Sequence, residues 1–390
     1  MPFQSRQLSR LLGFLQIGKR VVCAAMKSRL RRRSQNREQS KIWVESRDLP
    51  RLLRKVQSYT MVPVESMTAL ARLVRAVITF NIPGSFVECG AWKGGASFVM
   101  ADLLRQAGAR DRKVWAFDSF EGLPPPQAVD GAEALAYARN TDSPEYYDNC
   151  KTSLDQMRRA AKKLGLKPYL EIVKGWFEET LPARRERIGR IAILRIDGNW
   201  HASVRCCLDT LFDQVVPGGF VLLHTYYTYE GCALAAHEFL GKRQLGYPLE
   251  GIIGLNEGIA NFQSALIRKG TTTWKSVEQE YLAAETMAAV IPAGESVILA
   301  DQEQWENKPH GRFRLLPFLE ENGEYNGPPE DDAAAVENLE KLKRAGARYL
   351  VVGWPAFWWL DYYTKFHRHL RTHCKCLLED ERLLIFALPR

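Results

Sequence analysis

The stretch Glu88-Cys89-Gly90-Ala91-Trp92-Lys93-Gly94-Gly95 follows an apolar strand led by Phe86-Val87 and precedes a helical run from Ala96 to Leu104. Glycines at a strand-to-helix turn let the backbone approach a ligand closely, and the helix N-terminus offers it free N–H groups. Gly90 and Gly94 are four residues apart, so this is not the G-x-G-x-x-G dinucleotide fingerprint. An acidic strand end instead suits a ligand with a cationic amino-acid terminus. Asp118 closes the next apolar strand, Val114-Trp115-Ala116-Phe117, at the sequence distance where a carboxylate reaches a ribose diol. Glycine turn plus acidic second strand is the pattern of S-adenosylmethionine binding.

A second group of residues sits at two later strand ends. Asp197-Gly198-Asn199 follows Ile191 to Ile196, and His224-Thr225 follows Phe220 to Leu223, which the turn Pro217-Gly218-Gly219 introduces. In an open α/β sheet, ligands meet the protein at the carboxyl ends of strands. A histidine there, with an ordinary pKa near 6.5, is equipped to take a proton from a hydroxyl. Tyr226, Tyr227 and Tyr229 place aromatic rings beside it, on which a sugar face can stack. His237, in the helix after Cys232, reads as structural.

Alternating strands and helices must position these groups. A helical pattern from Leu52 to Phe80 breaks at Tyr59-Thr60-Met61-Val62-Pro63. Further elements read as a helix from Lys151 to Leu164, a strand from Tyr169 to Val173 and a helix from Val204 to Phe212. Apolar strands in that alternation predict a parallel, doubly wound sheet covered on both faces. Leu123 to Asn149 is a long polar excursion that reads as a lid or substrate loop. After Thr271-Thr272-Thr273 the pattern restarts in a smaller α/β unit. It has helices from Ser276 to Val290 and from Asp331-Asp332 to Ala345, and strands at Ser296 to Ala300, Tyr349 to Val352 and Leu383 to Leu388.

At 390 residues, two folded domains are the expectation. The boundaries read as a basic arm at 1–46, a main α/β domain at 47–272 and a small α/β module at 273–390. The arm holds eleven Lys or Arg against Glu38 and Glu45, so it carries the whole net charge of +9. The folded body is neutral, which argues against nucleic-acid binding. The longest uncharged run of the arm, Leu11 to Gly18, is far short of the ~20 residues of a membrane span. An amphipathic arm of this kind suits an anionic membrane surface or a partner protein. Eight cysteines without a C-x-x-C pair read as buried thiols of a reducing, cytoplasmic compartment, where the arm would allow peripheral contact with the inner membrane surface.

Glu88 to Gly95, Trp115 to Pro124, Gly175-Trp176-Phe177, Leu194 to Gly198 and Pro217-Gly218-Gly219 together resemble the macrocin O-methyltransferase family, over about residues 50–270. The resemblance implies a Rossmann-like doubly wound sheet of the class I methyltransferase type and methylation of sugar hydroxyls from S-adenosylmethionine. It implies that Glu88, Gly90, Gly94 and Gly95 line the methionine end of the cofactor. Asp118, Ser119 and Phe120 would hold the ribose and adenine, with Gly175, Trp176 and Phe177 flanking the adenine. Tyr59-Thr60-Met61 resembles the segment that folds over the cofactor. Gly346 to Val352 and Pro355 to Asp361, with Pro317 to Glu320 and Gly327 to Pro329, resemble a C-terminal module of bacterial glycosyltransferases, which implies recognition or assembly in a carbohydrate context.

The chain departs from the family at its reaction centre. Family members carry Asp-Gly-Asp after the fourth strand and Asp-Asp after the fifth, and these carboxylates bind Mg²⁺. Here the sites read Asp197-Gly198-Asn199 and His224-Thr225. Magnesium prefers carboxylate and water oxygens, whereas imidazole suits softer ions, so a Mg²⁺ site of the family type is not expected. Three alternatives follow. His224 acts as base while Asp197 and Asn199 orient a sugar-containing acceptor; or Asp197, His201 and His224 hold a softer divalent metal; or the domain binds the cofactor without methylating. The last would make the chain a scaffold of glycan assembly rather than an O-methyltransferase. Oligomer formation is compatible with all three.

Overall fold

The computed structural model describes residues 49–256, 259–321 and 324–389; the basic arm lies outside them. Period-two alternation of apolar side chains decides the first sheet. In β1 (Ser85–Cys89) and β2 (Val114–Asp118), Phe86, Val114 and Ala116 enter one core, while Val87, Cys89, Trp115 and Phe117 enter another on the opposite face. β3 (Leu170–Lys174), β4 (Ile191–Ile196) and β5 (Val215–Leu223) run parallel to them. With β6 (Glu250–Asn256) and β7 (Ile259–Arg268) they form a seven-stranded sheet of order β3-β2-β1-β4-β5-β7-β6.

Eight helices among the described residues belong to this part: α1 (Leu49–Val56), α2 (Val64–Thr79), α3 (Gly95–Gln106), α4 (Ala132–Arg139), α5 (Leu154–Lys163), α6 (Phe177–Ile188), α7 (His201–Leu211) and α8 (Glu230–Lys242). α1, α2, α3 and α5 supply one core; α6, α7 and α8 supply the other. Each fully buried Leu, Val or Phe of these faces contributes about 1.5–3 kcal/mol relative to exposure.

Two expectations need correction, and two elements were not anticipated. The sheet is mixed rather than wholly parallel: β7 is antiparallel to β5 and to β6. A hairpin reaches that arrangement with two intervening residues, whereas a parallel partner would need a crossover of a dozen or more. Pro217-Gly218-Gly219 does not precede the strand but lies inside β5, at a register shift that opposes Val215 to Ile191 and Phe220 to Ile193. The excursion after Leu123 carries α4 and short 3₁₀ turns at Ala128–Asp130 and Pro144–Tyr146. α6 was not anticipated, because it contains Pro182 and buries only Leu181 and Ile188, leaving no clear helical stripe.

Beyond β7, α9 (Trp274–Val290) leads to a five-stranded sheet of order β13-β14-β12-β8-β9. Its strands are β8 (Ser296–Ala300), β9 (Arg314–Pro317), β12 (Tyr349–Gly353), β13 (Lys375–Glu379) and β14 (Leu383–Ala387). A two-residue hairpin, β10 (Glu320–Glu321) with β11 (Glu324–Tyr325), precedes α10 (Asp332–Arg344). The aromatic run after β12 opens α11 (Phe357–Tyr362), followed by α12 (Thr364–His373). α9 serves both parts: Trp274, Val277 and Tyr281 join a core of the first sheet, while Ala283 and Met287 join a core of the second. The proposed boundary between residues 272 and 273 falls in the turn before α9. Among the described residues, no helix is long and apolar enough to cross a membrane.

Candidate functional site

Sheet order makes β1 and β4 neighbours on opposite sides of a chain reversal, which opens a crevice at their carboxyl ends. A cavity of about 770 Å³ occupies it. Its walls include Glu88, Gly90, Gly95, Asp118, Ser119, Gly175, Trp176, Phe177, Asp197, Asn199 and His224. Eleven residues chosen from the sequence thus share one cavity. Tyr59, Thr60 and Met61 also line it, as does the excursion through Leu123, Tyr137, Tyr147 and Cys150.

One half of the cavity is built from the ends of β1 and β2. Gly90 has φ +96°, and a Cβ there would run into the backbone of Asp197, so only glycine lets these strand ends meet. A Cβ on Gly95 would lie 2.5 Å from Thr60 Cβ and 2.7 Å from Tyr59 O, so glycine also admits the segment that covers the helix start. Asp118 accepts from the backbone N–H of Trp92 (2.7 Å, Oδ2) and of Phe120 (2.6 Å, Oδ1). Burial raises its pKa, and these two donors oppose the rise.

Glu88 is buried. It accepts from Arg195 Nη1 (2.6 Å) and from the Ser97 hydroxyl. Burial pushes its carboxyl up to about 7, although the Arg195 guanidinium and Ser97 pull it down. Arg195 also donates to Asp197 Oδ2 at 2.9 Å, so one buried guanidinium ties the two halves of the cavity together. Burial works against that charge, but Asp197 and Glu88 outweigh it and hold the pKa above its ordinary value. Trp92 Nε1 and Arg195 Nη2 have no hydrogen-bond partner among the described residues. Unsatisfied polar atoms on a cavity's lining residues fit a polar ligand. The glycine cradle, the two acidic strand ends and these free donors suit S-adenosylmethionine.

The other half is built from the ends of β4 and β5. Asn199 has φ +61°, in the left-handed region that asparagine tolerates better than most residues. His224 is half-buried on the cavity wall, and its Nδ1 lies 3.0 Å from Ser264 Oγ. Burial lowers its pKa to about 4; Asp197 opposes that shift and Arg195 adds to it. This corrects the expectation of a pKa near 6.5: the ring is a weaker base, but it is uncharged throughout the neutral range.

The donor set does not fit Mg²⁺. Asp197 is the one carboxylate at the two strand ends, it is bound to Arg195, and its companions are Asn199, His224 and Thr225. The softer-metal arrangement also fails: His201 lies outside the cavity wall and its Nε2 sits 2.9 Å from Glu238 Oε2. Among the described residues no three His, Cys, Asp or Glu are grouped to hold a metal.

Two residues named for cofactor contact do not line the cavity. Gly94 faces Phe98 and Met157, where a Cβ would meet their side chains. The Phe120 ring is buried in the core, so only its backbone N–H serves Asp118. Of the tyrosines, Tyr229 lines the cavity and packs on Trp200 with ring centroids 4.9 Å apart. Tyr226 and Tyr227 are not in that wall; Tyr226 Oη bonds His237 Nε2 at 2.7 Å. Trp92, Arg195, Ser203 and Ser264 escaped sequence reasoning. A signal existed for Arg195, a charge inside the apolar run Ile191 to Ile196.

Comparison with known proteins places the chain beside characterised O-methyltransferases. The family model of macrocin-O-methyltransferase (TylF) matches residues 15–256. A tetracenomycin rhamnosyl 4'-O-methyltransferase of Streptomyces olivaceus is 34% identical over 209 residues, covering 53% of this chain and 77% of that protein. Demethyldecarbamoylnovobiocin O-methyltransferase of Streptomyces niveus is 32% identical over 199 residues, 51% of this chain and 72% of its own. The solved structure of the O-methyltransferase NovP aligns with a TM-score of 0.47 and 28% identity, over 55% of this chain and 83% of that one.

Proposed function

The chain belongs to the macrocin O-methyltransferase family, and from that premise we propose that it methylates a sugar hydroxyl of a glycan or glycosylated metabolite without a metal ion. The relatives' sugar-bearing acceptors support the substrate class. The observation that carries the metal-free reading is His224, uncharged and on the wall shared with Asp197 and Asn199.

When bound, S-adenosylmethionine supplies the methyl group: the acceptor oxygen bonds the methyl carbon as the carbon–sulfur bond breaks toward sulfur. Glu88, Gly90 and Gly95 hold the amino-acid end, and Asp118 with Ser119 holds the ribose. Gly175, Trp176 and Phe177 flank the adenine. Asn199 and Asp197 orient the acceptor, and Tyr229 stacks on its sugar face. His224 takes the hydroxyl proton. Most of the acceleration then comes from positioning two reactants in one cavity. The basic arm holds the cytoplasmic enzyme near an anionic surface or a partner, and the C-terminal module contributes recognition or assembly.

Calorimetry with S-adenosylmethionine, followed by transfer of labelled methyl to a panel of glycosylated acceptors with and without EDTA, tests this reading. Binding and EDTA-indifferent turnover are expected. Binding without turnover across the panel points to a scaffold, and EDTA-sensitive turnover restored by Mg²⁺ sinks the metal-free mechanism.

A further inference from the structure

We propose that Ser264 fixes the tautomer of His224 and so decides which ring nitrogen is free to take a proton; the catalytic half of this inference rests on His224 as the base. β5 and β7 are antiparallel with Leu223 opposite Ala265, which sets Ser264 across from His224 just past the last paired residues. Ser264 is buried, and its Oγ makes two contacts with the same residue: Nδ1 at 3.0 Å and the main-chain carbonyl oxygen at 3.2 Å.

A hydroxyl has one proton to give, and a carbonyl can only accept. If Ser264 donates to the His224 carbonyl, its oxygen has lone pairs left for Nδ1 but no hydrogen. Both bonds therefore form together only when Nδ1 carries the proton and donates to Ser264. In an uncharged imidazole that leaves Nε2 as the acceptor. No hydrogen bond occupies Nε2 among the described residues, and the ring lines the cavity. The opposite tautomer would break the bond to the carbonyl and put a hydrogen on Nε2, where no hydroxyl proton could be received.

The arrangement also survives the reaction. When Nε2 gains the acceptor's proton, Nδ1 keeps its own and the bond to Ser264 stands. Around the ring, Asp197 favours the resulting charge and Arg195 opposes it. Ser264 is thus a positioning residue: it acts through His224 and needs no contact with the acceptor.

Nitrogen-15 histidine spectra of the full-length protein, with the His224 signals identified by their loss in His224→Gln, read the tautomer without any turnover. A protonated Nδ1 and an unprotonated Nε2 are expected at neutral pH. Ser264→Ala should shift the ring toward the other tautomer and lower kcat by about tenfold or more, with cofactor affinity unchanged; Ser264→Thr, which keeps the hydroxyl, should restore both. A protonated Nε2 in the wild type, or an unchanged ring in Ser264→Ala, overturns the inference. A protonated Nδ1 in an enzyme whose kcat survives His224→Ala upholds Ser264's hold on the ring and overturns the base assignment alone.

Discussion

The two halves of the cavity are made by the same device, paired strand ends at a sheet reversal, but they are furnished differently. At β1 and β2 the acids Glu88 and Asp118 are in place and already bonded, to Arg195 and to backbone N–H groups. At β4 and β5 a single acid, Asp197, stands with Asn199, His224 and Thr225. In the proposed reaction the first half supplies fixed acceptors for a cationic, hydroxyl-bearing cofactor. The second needs something to receive a proton, and a neutral imidazole can do so where a carboxylate and its metal would otherwise lower the hydroxyl's pKa.

The comparison breaks most sharply at His224. His224→Ala should lower kcat about 10²- to 10⁴-fold, the usual weight of a general base, while calorimetry finds unchanged cofactor affinity. If both fall together, the halves are not separable. Next in size is the shared guanidinium. Arg195→Met leaves the buried Glu88 and the half-buried Asp197 without their cation, at a cost of about 3–5 kcal/mol, read as a lower denaturation midpoint with the slope unchanged. Asp118→Ala removes two charged hydrogen bonds that hold the turn after β1. Cofactor affinity should weaken by about 1.5–3 kcal/mol, and kcat at saturating cofactor should stay close to wild type.

Smaller effects come from pH, and here the halves should part along the axis. Glu88 titrates near 7 in the free protein. Below that pH it is neutral and attracts an ammonium group less, so cofactor affinity should rise as pH increases through about 7. His224 titrates near 4, so kcat should rise with pH through about 4 and then hold level to neutrality. A kcat limb near 6.5 would mean that the ring is not packed as the structure has it.

The contrast between the halves was legible in the chain because it is written in residue types at strand ends. Glu88, Gly90, Asp118, Asp197 and His224 each follow an apolar run, and a parallel sheet carries such positions to one edge whatever the side chains between them. The antiparallel β6–β7 pair was not legible. Nor was the packing of Phe120, whose type suggests a ring for the adenine but whose φ of +57° goes with a ring buried in the core.

The sequence alone determined the strands β1 to β5, β8, β12 and β14, where the glycine turn lies and which residue types stand at the strand ends. Those are local properties, set by period, turn chemistry and side-chain type. Only the tertiary structure decided that Arg195 bonds Glu88, 107 residues away, and that Ser264 meets His224 across 40 residues. Both pairings depend on strand order and register. A one-residue slip would turn each side chain to the other face of the sheet, and register is fixed by the packing of whole strands against their neighbours.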